Sequence, residues 1–121
     1  MTTMDIQEFR AERARLNEML LGEDHLGVKR FFNLDHAAYG DGALDARTKE
    51  WMGLVGSLVL RCNDCVVYHL DQLVTKHAAT REELLDGLNV GLVVGGSITI
   101  PHLRTAWDAA EQLLRERDAK G

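Results

Sequence analysis

The sequence predicts an all-α domain of about six helices, and three observations carry that prediction. A single proline, Pro101, stands among 121 residues; its ring removes an amide and clashes inside a helix, so its scarcity suits long helices. Apolar residues recur at three- and four-residue spacings rather than in strict alternation. Turn-forming residues fall in short clusters that leave segments of helical length between them. Only Val90 to Ile100, rich in Val, Ile and Thr, could be read as a strand, and helix, loop, helix is the preferred reading there.

The elements follow in order. Ile6 to Leu21 places Ile6, Phe9, Leu16, Met19 and Leu20 at helical spacings and stops at Gly22. A second helix, about Leu26 to Tyr39, ends at the turn Gly40-Asp41-Gly42. Asp45 is placed to cap a third from Ala46 to about Leu60. Asn63 and Asp64 favour caps and first turns over helix interiors, so a break near Arg61 to Asn63 is expected. A fourth helix then runs from about Asp64, its expected cap, to His77. Thr80-Arg81-Glu82-Glu83 is a capping box that opens a fifth helix to about Val94. Gly95-Gly96 ends that helix, and Pro101 fits the first turn of a sixth that closes near Lys120. The whole reads as one domain over residues 1–121, with 1–42 as an N-terminal helical extension.

With 45% apolar and 27% charged residues the chain has the balance of a globular protein rather than a disordered one. A formal charge of −5 without segregated basic stretches argues against nucleic acid as a partner. The uncharged stretch Trp51 to Leu60 is half of the roughly 20 residues a bilayer span needs. Met1-Thr2-Thr3-Met4-Asp5 has neither the basic start nor the apolar run of a secretory leader, so a cytoplasmic address and no membrane association are expected. Two segments, Trp51 to Leu60 and Leu84 to Val94, are apolar nearly all round. A small monomer has few places to hide such helices, which predicts burial in a homo-oligomer. Trp51, Trp107, Phe31 and Phe32 read as core or interface anchors rather than substrate contacts.

The chemistry concentrates at Cys62-Asn63-Asp64-Cys65, which holds both cysteines of the chain, and at His69 four residues on. Steps of three and four return to nearly one helix face, so Cys62, Cys65 and His69 line one stripe. A helix start stabilises a thiolate through its unpaired amides, and an imidazole one turn away can accept the proton. Two thiols at this spacing can close a disulfide, one resolving the oxidised form of the other. Zinc is the chemical alternative: the same three residues with His102 or His77 offer ligands of the right type, but no second knuckle is present.

The run Glu50-x11-Cys62-x-x-Cys65-x-x-x-His69, followed by Gly95-Gly96-Ser97 and Ile100-Pro101-His102, resembles the alkylhydroperoxidase D-like branch of the carboxymuconolactone decarboxylase family. The likeness extends from about Ala43 to Leu113. It implies an all-α fold in symmetric homo-oligomers, often trimers or hexamers, and a peroxidase or disulfide reductase that uses no metal, haem or flavin. In the implied scheme Glu50 orients His69, and His69 takes the proton of Cys65. Cys65 attacks a small hydroperoxide, Cys62 condenses with the sulfenic acid, and an external dithiol, such as a dihydrolipoyl group on a partner protein, resets the pair. The sequence departs from the family at Asp64, where active peroxidases of this branch often carry a histidine; an anion beside the thiols opposes their ionisation. A non-redox member of the family, a lactone decarboxylase or isomerase using Glu50 and His69 as base and acid, is the remaining alternative.

Overall fold

The computed structural model describes residues 4–121, and all regular structure among them is helical. Six helices follow in order: α1 (Ile6–Leu21), α2 (Leu26–Ala38), α3 (Ala46–Val59), α4 (Asn63–Lys76), α5 (Arg81–Gly95) and α6 (Ile100–Lys120). A single turn of 3-10 helix, Ser97–Thr99, leads into α6, so Val90 to Ile100 is helix, turn and helix rather than strand. Every element lies within a residue or so of its expected limits. The reason is local chemistry at the ends: Asp5, Asp45 and Thr80 each accept an amide of the first turn, and Glu83 returns the bond to Thr80 to complete the capping box.

One cap differs from expectation. Asp64 is not the N-cap of α4; that position belongs to Cys62, and Asp64 lies inside the first turn. The cause is the way α3 stops. Arg61 sits in the left-handed region at φ 61°, its amide donates to Leu58 O at 3.0 Å and the Cys62 amide donates to Ser57 O at 3.0 Å. This paired closure normally uses glycine. It makes Cys62 both the residue that seals α3 and the residue that starts α4.

Four helices build the core. α4 packs between α3 and α6, and α5 covers α3. Leu54 and Leu58 of α3, Leu70 and Leu73 of α4, Leu84 and Leu88 of α5, and Leu113 of α6 are fully buried. α1 is tied across this core by Arg10, which forks onto Asp71 of α4 at 2.8 Å and Glu116 of α6 at 3.0 Å. Those two carboxylates raise the already high pKa of the guanidinium, the Asp71 hydrogen bond being the larger influence. α2 is different, because none of its residues is buried. Phe31 and Leu34 are each 67% exposed, alongside Val93 at 75% and Leu60 at 79%. Phe31 is therefore not a core anchor of the single chain, whereas Trp51 and Trp107 pack against the core. No helix among the described residues is long and apolar enough to cross a membrane.

Candidate active site

The site forms where the N-terminus of α4 meets the middle of α3 and the C-terminal end of α2. Glu50 shares a face with Leu54, Ser57 and Leu58, the buried stripe of α3. His69 lies on the corresponding stripe of α4, among Val66, Leu70 and Leu73. Packing the two stripes together forces the carboxylate against the imidazole. Glu50 and His69 are each 6% exposed, and His69 Nδ1 donates to Glu50 Oε2 at 2.6 Å. A carboxylate can only accept, so the neutral ring carries its hydrogen on Nδ1 and leaves Nε2 as the basic nitrogen.

Both cysteines are free thiols at the start of α4. The Cys62 sulfur caps the helix, accepting the Cys65 amide at 3.3 Å. Cys65 stands one helical turn before His69, and its residue is exposed although its thiol is partly covered. Burial pushes the Cys65 thiol up to about 11, helped by the hydrogen bond and charge of Cys62 and by the carboxylate of Asp64. At neutral pH this sulfur holds its proton and needs a base to become a nucleophile. His69 follows it by four residues on the same helix.

Three of the other histidines have partners of their own. His102 Nδ1 donates to Asn63 Oδ1 at 2.8 Å, pinning the start of α6 to the start of α4. His77 is the C-cap of α4, at the end away from the cysteines. His25 caps α2 by accepting the Val28 amide at 3.3 Å. Among the described residues no group of three His, Cys, Asp or Glu side chains is arranged to hold a metal ion, and no buried side-chain nitrogen or oxygen lacks a partner.

Two tyrosines and a glycine to which sequence reasoning gives no role in the site complete the surroundings. The Tyr39 ring lies 5.3 Å from the His69 ring and the Tyr68 ring 5.4 Å from it, so the imidazole is held between two aromatics. Arg13 of α1 sits 4.0 Å over Tyr68 and braces it from outside. Gly53, one turn after Glu50, is the third: a Cβ there would stand 2.5 Å from His69 Cε1, 2.7 Å from Nε2 and 2.8 Å from Tyr39 Oη. Only a hydrogen fits under the ring. Beside it opens a cavity of about 570 Å³, bordered by Tyr39, Leu44, Met52, Gly53, Ser57 and Leu60.

The domain is thus all-helical, with a buried carboxylate–imidazole pair one turn from Cys65 and two from Cys62. The sequence profile of the carboxymuconolactone decarboxylase family matches residues 27–112, and the chain belongs to that family. A crystal structure of TM1620 from Thermotoga maritima is 51% identical, with a TM-score of 0.88 over 95% of this chain and 99% of that one. A second crystal structure of TM1620, described as a carboxymuconolactone decarboxylase family protein with a possible antioxidative role, gives 51% identity and a TM-score of 0.85 over 94% and 95% of the two chains. The family member lpg0406 from Legionella pneumophila, in its apo form, is 31% identical, with a TM-score of 0.75 over 91% of this chain and 95% of that one. The uncharacterized protein H16_B0147 of Cupriavidus necator is 38% identical over 69 residues, a match covering 57% of this chain and 60% of that relative's length.

Proposed function

We propose that this protein is a thiol-dependent peroxidase and disulfide oxidoreductase of the alkylhydroperoxidase D-like branch, acting on small hydroperoxides through Cys62 and Cys65. The observation that carries the reading is the buried 2.6 Å pair of Glu50 and His69, placed one turn from a thiol that cannot ionise unaided. His69 Nε2 takes the Cys65 proton, and the imidazolium is stabilised by Glu50. The Cys65 thiolate attacks the peroxide oxygen, forming an S–O bond as the O–O bond breaks, and the leaving alkoxide takes the proton from His69. Cys62 then attacks the Cys65 sulfenic acid, closing the disulfide and releasing water. Two thiols and one hydroperoxide thus give one disulfide, one alcohol and one water. An external dithiol, such as a dihydrolipoyl group on a partner protein, returns the pair to the reduced state by exchange, and no metal or organic cofactor takes part.

The working form in this reading is a homo-oligomer, a trimer or hexamer, in the cytoplasm. Its support is the apolar surface of the single chain: α2 buries nothing and shows Phe31 and Leu34 to solvent, and α5 does the same with Val93 and Val94. Light scattering is expected to give a multiple of 13.5 kDa; a concentration-independent monomer mass refutes the assembly.

The test of the chemistry is stoichiometric. Anaerobic reduced protein given one equivalent of hydroperoxide is expected to lose two thiols and gain the Cys62–Cys65 disulfide, shown by mass spectrometry. Thiols that persist under peroxide refute the reading. A Cys65→Ser protein that consumes peroxide as fast as wild type refutes the choice of attacking sulfur, and lactone conversion that survives loss of both cysteines moves the function to the non-redox side of the family.

A further inference from the structure

Tyr39 belongs to none of the motifs read above, yet it is the residue through which α2 reaches the site. It is the half-buried C-cap of that helix, immediately before Gly40, with its ring 5.3 Å from that of His69. Its hydroxyl and His69 Nε2 lie within 2.8 Å of one point above Gly53. The hydroxyl is therefore near the Nε2 and Cε1 side of the imidazole, whose other nitrogen is bonded to Glu50. Tyr39 also borders the 570 Å³ cavity that opens beside the ring. The hydroxyl thus stands between that cavity's wall at Gly53 and the imidazole.

We infer that Tyr39 is a further catalytic residue, whose hydroxyl donates a hydrogen bond to the peroxide oxygen that leaves when the Cys65 sulfur attacks. The inference rests on the peroxidase reading and deepens it. The charge in that step moves from sulfur to the departing oxygen, and a fixed donor aimed at the developing alkoxide lowers the barrier more than it aids binding. Tyr39 keeps its own proton throughout: the alkoxide is protonated by His69, so the balance of the reaction is unchanged. Burial holds the phenol above its ordinary pKa, as do the charges of Asp35, Glu50 and Cys65, which makes it a donor and not a competing base.

The test is Tyr39→Phe, which keeps the ring against His69 and removes only the hydroxyl. Two reactions are compared by stopped flow on the reduced oligomer: oxidation by cumene hydroperoxide, which expels an alkoxide, and alkylation by iodoacetamide, which expels iodide. The expected result is a loss of about tenfold or more in the peroxide rate, with the alkylation rate and its pH profile unchanged. Equal slowing of both reactions overturns the inference, because Tyr39 then acts only through the packing of His69 or the acidity of the thiol. An unchanged peroxide rate overturns it as well. Tyr39→His, which restores a donor on a ring, is expected to recover part of the peroxide rate, and a histidine variant as slow as the phenylalanine variant counts against the role. Failure of the underlying reading is separate: there, wild-type protein itself forms no disulfide with peroxide.

Discussion

Replacing Glu50 by glutamine isolates the electrostatic part of the relay. Glutamine keeps the shape and an oxygen that accepts from His69 Nδ1, so the 2.6 Å contact has a neutral counterpart. What disappears is the negative charge beside an imidazole that must become cationic when it takes the thiol proton. With charge centres about 4 Å apart and an effective dielectric of about 20, that attraction is about 4 kcal/mol. Each 1.36 kcal/mol is a factor of ten, so oxidation of the thiols by hydroperoxide is expected to slow by about a thousandfold at most and by a hundredfold or more. The assay is single-turnover loss of free thiols at neutral pH, with circular dichroism and thermal melting as controls for the fold. Stability is expected to hold, since a neutral isostere relieves a buried charge. Glu50→Ala is expected to lose stability as well, by about 1–3 kcal/mol, because it leaves the buried Nδ1 hydrogen of His69 without an acceptor. A glutamine variant that reacts within threefold of wild type refutes the idea that a charged carboxylate drives the proton transfer.

Gly53→Ala is expected to cost about 1–3 kcal/mol in denaturant unfolding and to slow peroxide oxidation, because the methyl would meet His69 at 2.5 Å; the outcome that refutes this is a variant with wild-type rate and midpoint. Arg61→Gly is expected to raise stability by up to about 1 kcal/mol, since Arg61 holds φ 61° without the freedom of glycine; urea unfolding reads it, and a loss of stability refutes the assignment of strain. The pH dependence has a definite sign. Cys65 in the folded chain keeps its proton up to about 11, while an unfolded thiol ionises near 8.5. Its contribution to stability is therefore complete below about 8.5 and is lost as pH rises through the folded value. Site-resolved alkylation followed by mass spectrometry is expected to show Cys65 labelling still accelerating above pH 9, and a plateau below pH 9 refutes it.

Much of this molecule is written in short-range chemistry. The helix limits follow from Asp5, Asp45, Thr80 with Glu83, and the glycine and proline pair at Gly96 and Pro101, each of which acts within four residues of itself. The thiol–imidazole stripe was legible for the same reason, because Cys62, Cys65 and His69 share one helix and helical periodicity alone aligns them. Glu50 was chosen through the family resemblance, although a local signal existed: it stands four and eight residues before Leu54 and Leu58, on the apolar stripe of its own helix, where a carboxylate has to find a partner. Local preference ranks aspartate above cysteine and so points to Asp64 as the cap, while the tight closure at Arg61 fixes Cys62 in that place.

What the sequence by itself determined, then, is the helical architecture and the placing of Cys62, Cys65 and His69 along one helix and its cap, since both are set by neighbours along the chain. Tertiary structure alone decided that the rings of Tyr39 and Tyr68 lie against that of His69, and that Gly53 leaves the room beneath it. Those contacts join α2, α3 and α4 across separations that no helical period spans, and they exist only once the buried faces of α3 and α4 have been pressed together.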